Sequence, residues 1–386
     1  MMEIARNISF GSAIFIHSGF RSSSTWFWSK FREQENLLCY YEPLNEQLEN
    51  LTEDLLDEAR PEAWRSRHPQ GAPYVLEYAQ ILAGDGGVVG FPKVRSLGER
   101  YIGLDGPEGG LDRDVLDYVR GLIEHAQERQ KMPVLAFTRS LGRVAGMHAA
   151  FGGFHILLTR NLFHQWNSYA GQARFGNWYF IHSMFETLEL ASRDPIISFM
   201  ASIFPPDTMA DFNAWVDPQN LDNVFCYFIG FHLYFETLAR RHVDLTVNIN
   251  VLAQNRNYRT RISSKIGEVT NTKIDFEDAK IMVDLPISPI INTASCKAKI
   301  SRIIKKIQSD ITKNKDERMF ISNRLRGVWR EHAFFSLYNE SSFEYISKLN
   351  SEINIVQHDL EVVRQEASEL RKRLEEISST SPSPQP

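Results

Sequence analysis

The segment Ile14–Arg32, IFIHSGFRSSSTWFWSKFR, concentrates more chemistry than any other part of the chain. An apolar run ends at Ser18-Gly19, a turn of small hydroxyl residues follows, and a helical pattern begins after it. Gly19 has access to positive φ and lets the backbone turn sharply. Ser22, Ser23, Ser24 and Thr25 supply successive N–H groups and hydroxyls at a helix N-terminus. Free amides and the helix dipole converge there on an anion, most naturally a phosphate. Arg21 adds a fixed charge with bidentate reach. The second glycine and Gly-Lys pair of a Walker loop are missing, which disfavours an ordinary P-loop kinase or ATPase. Taken alone, RSSST reads by default as a serine-rich N-cap beside an incidental arginine.

A second turn is built from the same parts. Phe154–Ser168, FHILLTRNLFHQWNS, is an apolar strand with Arg160 at its end and Ser168 eight residues further on. An arginine fork and a hydroxyl on the next helix can hold one phosphate from two sides.

GFRSSSTWF resembles the 5′-phosphosulfate loop of sulfotransferases, in which Lys or Arg precedes Ser-Gly-Thr-Thr and often Trp. The match places the basic residue at Arg21, the phosphate-cradling positions at Ser22, Ser23, Ser24 and Thr25, and an adenine-stacking ring at Trp26. Ser23 stands where the family usually has Gly, and Ser24 where it has its first Thr. The second turn resembles the family's 3′-phosphate signature and carries over Arg160 and Ser168, although Arg160-Asn161-Leu162 replaces the usual Arg-Asp-Pro. The resemblance spans Ile14 to Gly267. It implies a P-loop-like three-layer α/β sandwich and 3′-phosphoadenosine 5′-phosphosulfate (PAPS) as co-substrate, with no metal. The basic stretch Asn255–Gly267 resembles the region of late 3′-phosphate contacts, with Arg256, Arg259, Arg261 and Lys265 as candidates; each reads equally as a solvated helix residue.

Sulfuryl transfer needs cations beside the leaving phosphate and a base beside the attacking hydroxyl. Arg21 suits the leaving side. Arg139 follows the run Val134–Thr138 and opens onto the same sheet edge, where it can hold sulfonate oxygens or orient the acceptor; a surface arginine beside Arg143 is the alternative. Glu42, in CYYEPLNE, is the favoured base. Its surroundings resemble the Tyr-Glu-Pro-Leu segment of carbohydrate sulfotransferases, and Pro43 would fix it at a strand or turn edge. Glu42 can instead pair with Arg21 or Arg139 without taking a proton. Thr138-Arg139-Ser140 carries no histidine where phenol and steroid sulfotransferases have one, and His17 reads as a core histidine before it reads as a base. Neither His148, His155 and His164 nor the acidic residues show metal-binding spacing. Trp166, Tyr169 and the GNWYF segment read as core.

The implied acceptor is a carbohydrate or glycolipid hydroxyl, with a protein tyrosine or a small hydrophobic alcohol as alternatives, set against a loop-rich insertion over residues 59 to about 127, where Trp64, His68, Tyr74, Tyr78, Arg95 and Arg100 offer rings and charges. The alternatives are a nucleotide-binding regulator, or a coiled-coil scaffold with a non-catalytic domain of this type.

Short apolar runs position these residues. Ala13–His17, Val134–Thr138 and Phe154–Thr159 suit strands of a covered parallel sheet, Val243–Val251 alternates as another, and Asp222–Arg241 is a long amphipathic helix. Strands alternating with helices imply a parallel, doubly wound sheet within residues 1–290. A helical extension is expected over 291–343 and a coiled coil over 344–378. From Ile346 to Ile377 apolar residues recur at alternating intervals of three and four, the seam of a coil that joins copies of the chain or another partner. The seam does not select an oligomer number, and a lone helix packed on its own domain is the alternative. The tail from 379 reads as disordered.

The chain has 386 residues, 43 Lys plus Arg and 48 Asp plus Glu, for a net charge of -5. That balance argues against a general nucleic-acid binder, which needs a basic surplus, so anion binding must be local. Three scattered cysteines give neither a disulfide framework nor a zinc motif and fit a reducing, cytoplasmic compartment. No run of eighteen apolar residues suggests a membrane span. The apolar stretch near the start reads as a buried strand rather than a signal peptide.

Overall fold

A computed structural model describes residues 13–59, 74–93, 101–103, 105–281, 283, 290, 292–337 and 340–380. The chain divides into two compact units, one through Trp329 and one from Arg330. The principal elements of the first are β1 (Ile14–His17), α1 (Ser24–Arg32), β2 (Leu37–Tyr41), α2 (Arg113–Glu128), β3 (Met132–Phe137), α3 (Val144–Phe151), β4 (Phe154–Thr159), α4 (Leu162–Arg174), α5 (Tyr179–Glu186), α6 (Leu221–Ala239), β5 (Leu245–Asn248), α7 (Arg256–Thr270) and α8 (Thr293–Asp310). Helix α9 (Lys315–Leu337) spans the division, and α10 (Glu340–Thr380) lies in the second unit.

Five strands form one parallel sheet in the order β2-β3-β1-β4-β5. Successive strand residues point to opposite faces, and both faces are covered. Ile14, Ile16, Val134, Ala136, Ile156 and Leu158 pack against Phe27, Trp28 and Phe31 of α1 and Ile262 and Ile266 of α7. Phe15, Leu135 and Phe137 pack against Val119, Leu122 and Ile123 of α2 and Met147 and Phe151 of α3. Double cover explains why these strands read as unbroken apolar runs. The chain leaves β1 toward one edge of the sheet and leaves β4 toward the other, which opens a crevice above their carboxyl ends.

Three expectations need correction. The strand over Val243–Val251 ends at Asn248, because the Asn248 side chain accepts a bond from Val251 N (3.1 Å) and starts a helical turn. Helix α6 was expected to be amphipathic, yet it is buried from Asn223 to Ala239. It lies between layers, and a Cβ on Gly230 would come 2.5 Å from Met200 Sδ and 2.7 Å from Ile303 of α8. Residues 59–127 hold more than loops, since α2 buries a full stripe under the sheet. Among the described residues no helix is long and apolar enough to cross a membrane.

Candidate functional site

A cavity of about 650 Å³ sits on the carboxyl edge of the sheet. Residues following four strand ends line it: Phe20 and Arg21 after β1, Glu42 after β2, Thr138 and Arg139 after β3, and Arg160 after β4. Backbone bonds hold these ends together, from Ser18 N to the Phe137 carbonyl (2.9 Å) and from Glu42 N to the Ala136 carbonyl (2.7 Å). Among the described residues five other than glycine adopt left-handed φ, and three of them, Arg21 (59°), Ser23 (64°) and Glu42 (51°), line this cavity. Such conformations are costly and collect at functional sites.

The turn after β1 makes its bend differently from the expectation. Gly19 does not take positive φ; the left-handed residues are Arg21 and Ser23. Gly19 serves close approach instead, since a Cβ there would come 2.8 Å from His232 Nε2 and 3.0 Å from Gln165 Nε2. Ser22 Oγ donates to the Gly19 carbonyl (2.8 Å) and locks the turn. Ser23, at the N-cap of α1, makes no side-chain cap bond. The Ser24 and Thr25 hydroxyls meet the Tyr41 hydroxyl at 2.7 and 2.8 Å. Burial pushes the Tyr41 phenol above its ordinary pKa, so it stays protonated. Trp26 is half-buried on the cavity wall, and its Nε1 donates to Asp278 (3.2 Å), which also pairs with Lys30 at 2.9 Å.

The turn after β4 touches the first. Arg21 Nε donates to Ser168 Oγ (2.9 Å), and Arg160 Nη1 donates to the Arg21 carbonyl (2.7 Å). Asn161 caps α4 by accepting from Phe163 N (2.9 Å) and His164 N (3.4 Å), the work that Asp would do in an Arg-Asp-Pro turn. Behind it, Arg324 of α9 donates to the Arg160 carbonyl and forms a bidentate pair with Glu236 of α6, at 2.8 and 2.7 Å.

The remaining wall is an ionic network. Glu42 accepts from Thr138 Oγ1 (2.6 Å), from Asn45 Nδ2 (3.3 Å) and from Arg139 Nη1. Arg139, 4% exposed, also donates to Tyr179 OH (2.5 Å) and pairs with Glu46 at 3.3 Å. Arg139 is therefore not the surface arginine of the alternative reading but is buried between two carboxylates. Glu42 precedes Pro43 in a left-handed conformation rather than the extended one that a following proline favours.

The cavity thus gathers Arg21, Ser23, Ser24, Thr25, Trp26, Glu42, Arg139 and Arg160, with Ser22 and Ser168 bonded just behind it. Tyr74 lines it, while Tyr78 lies under β2 with its hydroxyl on the Tyr41 carbonyl (3.1 Å). Trp64, His68, Arg95 and Arg100 lie outside the described residues. Arg256, Arg259, Arg261 and Lys265 do not line the cavity; Arg259 is spent on the Leu252 and Ala253 carbonyls at 3.1 and 3.0 Å. Trp166 and Tyr169 are core, but Tyr179 and Phe180 of GNWYF line the cavity, contrary to expectation. A core assignment followed from their aromatic type, and nothing in their local spacing marks them otherwise. Glu46, Asp278 and Lys280 were also missed, each an ordinary surface charge until the fold collects it. His17 is buried and shares a bond with His155 (3.0 Å) away from the cavity. Burial pushes His17 well below the ordinary imidazole pKa and His155 down to about 4, so both are neutral.

Comparison with family models, with curated proteins and with solved structures gave no match for this chain.

Proposed function

We propose that the chain transfers a sulfuryl group from PAPS to a hydroxyl of a carbohydrate or glycolipid acceptor, on a P-loop-like α/β domain. The observation that carries this reading is the direct contact of the two strand-end turns, Arg21 to Ser168 and Arg160 to the Arg21 carbonyl, at one cavity. Anion-binding groups so close together suit one ligand with two phosphates. The left-handed Ser23, where sulfotransferases usually have Gly, supports the resemblance through the backbone conformation that glycine adopts most readily.

In this reading the backbone from Ser22 to Thr25, at the turn leading into α1, cradles the 5′-phosphate, and Tyr41 fixes the Ser24 and Thr25 hydroxyls. Trp26 stacks on adenine. Ser168 accepts from Arg21 and so keeps its own proton for the 3′-phosphate, which Arg160 holds from the other side. The acceptor oxygen forms a bond to sulfur in line as the bond to the 5′-phosphate oxygen breaks. 3′-Phosphoadenosine 5′-phosphate leaves, with Arg21 offsetting its growing charge. The hydroxyl proton passes to Glu42. A loose transition state asks for little proton removal before the leaving bond stretches. Arg139 and Tyr179 keep that carboxylate aimed. Phe20, Tyr74, Tyr179 and Phe180 give the acceptor ring faces suited to a sugar. A cytoplasmic setting fits three buried, unpaired cysteines.

The experiment is a melt with 3′-phosphoadenosine 5′-phosphate together with labelled sulfate transfer to a glycan panel. The nucleotide should raise Tm, and Arg21→Ala should abolish the rise. Glu42→Gln should lower turnover by about 10²–10⁴-fold and keep the nucleotide shift. Absence of a shift in the wild-type chain would overturn the nucleotide site. The tight engagement of Glu42 by Arg139 favours one second reading, a nucleotide-binding regulator, for which the shift would appear without transfer.

A further inference from the structure

Helix α10 is left unexplained by the cavity. Its described apolar seam faces solvent: Ile353 is 51% exposed, Val356 64%, Leu360 47%, Val363 57% and Leu370 59%. Elsewhere among the described residues most Leu, Ile and Val side chains are buried, and exposed ones such as Leu55 and Val89 stand singly. Covering such residues contributes about 25 cal/mol per Å², so a continuous exposed stripe of them marks a binding face.

The charges beside the stripe choose the occupant. With Ile353, Leu360 and Ala367 at heptad position a, and Val356, Val363 and Leu370 at d, the flanking g positions hold Glu352, Asp359 and Glu366. The e positions hold Gln357, Arg364 and Arg371. In a parallel coil, each g residue meets the e residue five positions later on the other helix. Asp359 then faces Arg364 and Glu366 faces Arg371, each twice by symmetry. An antiparallel coil sets g against g and e against e, which brings acid to acid and arginine to arginine. Asp359, Arg364, Glu366 and Arg371 are all exposed.

We propose that α10 forms a parallel, in-register coiled coil with a second copy of this chain. Its apolar seam is the exposed stripe, and its orientation is set by the acidic g and basic e positions. This inference does not depend on the sulfotransferase reading.

The test uses the full-length chain. Light scattering should return twice the monomer mass. Leu349→Cys and Leu370→Cys, oxidised separately, should each crosslink to themselves, because only parallel, in-register pairing brings both positions to their own copies. The native Cys39, Cys226 and Cys296 are buried and leave the new thiols as reporters. Arg364→Glu/Arg371→Glu should be monomeric, as should Asp359→Arg/Glu366→Arg, and mixing the two should restore the dimer. These exposed substitutions do not threaten the fold. A monomer mass for the wild-type chain, or crosslinks that form only when the two cysteine variants are mixed, would overturn the proposal.

Discussion

The turns after β1 and β4 have the same parts, a strand-end arginine and a helix, yet they finish their helices in opposite ways. After β4, the Asn161 side chain satisfies the first N–H groups of α4. After β1, the left-handed Ser23 offers α1 no side-chain cap, and its N-terminal turn lines the cavity. A capped helix has already used its amides; an uncapped one presents them, together with its dipole, to an incoming anion. In the proposed function the first turn is the backbone cradle, whereas the second contributes through the Arg160 and Ser168 side chains.

If the second turn depends on support from behind, Glu236→Ala should have the largest effect. It would leave Arg324 buried without its carboxylate partner, at a cost of about 3–5 kcal/mol in a denaturant melt. A change below about 1 kcal/mol would show that the Arg324 pair does not brace this turn. Next comes Asn161→Ala, which removes the cap and should cost about 1 kcal/mol. Ala at Ser23 should not lose a cap in the same way, so equal losses at the two positions would erase the contrast. The smallest effect is expected at Ser23→Gly. Glycine takes φ near 64° without the steric penalty of an L-residue, about 1–2 kcal/mol, and gives back part of it as chain entropy. The net should be a gain of about 0.5–1 kcal/mol, read as a higher Tm; a lower Tm would mean that the serine side chain supports the turn.

Much of this was legible in the sequence. The runs at Ala13–His17, Val134–Thr138 and Phe154–Thr159 mark strands because a sheet covered on both faces needs apolar residues at every position. The arginines at their ends were legible with them. Tyr179 and Phe180 were not, because an aromatic side chain looks the same in sequence whether it fills a core or walls a cavity. Helix α6 was misjudged for a related reason. Its scattered polar residues, such as Glu236 and His232, suggested a wet face, but partners distant in sequence satisfy them inside the protein: Arg324 pairs with Glu236, and Gln165 meets His232 at 3.4 Å.

The sequence by itself determined the periodic and local features: short apolar runs as strands, the turn of small hydroxyl residues, and the unbroken heptad seam of α10. Each follows from forces acting between near neighbours along the chain. Only the tertiary structure decided which charges would meet. It clamped Glu42 on Arg139, 97 residues away, joined Arg21 to Ser168 across 147 residues, and assigned the left-handed conformation to Arg21 and Ser23 rather than to Gly19. Those outcomes depend on strand order and on the space beside His232, and no local pattern encodes either.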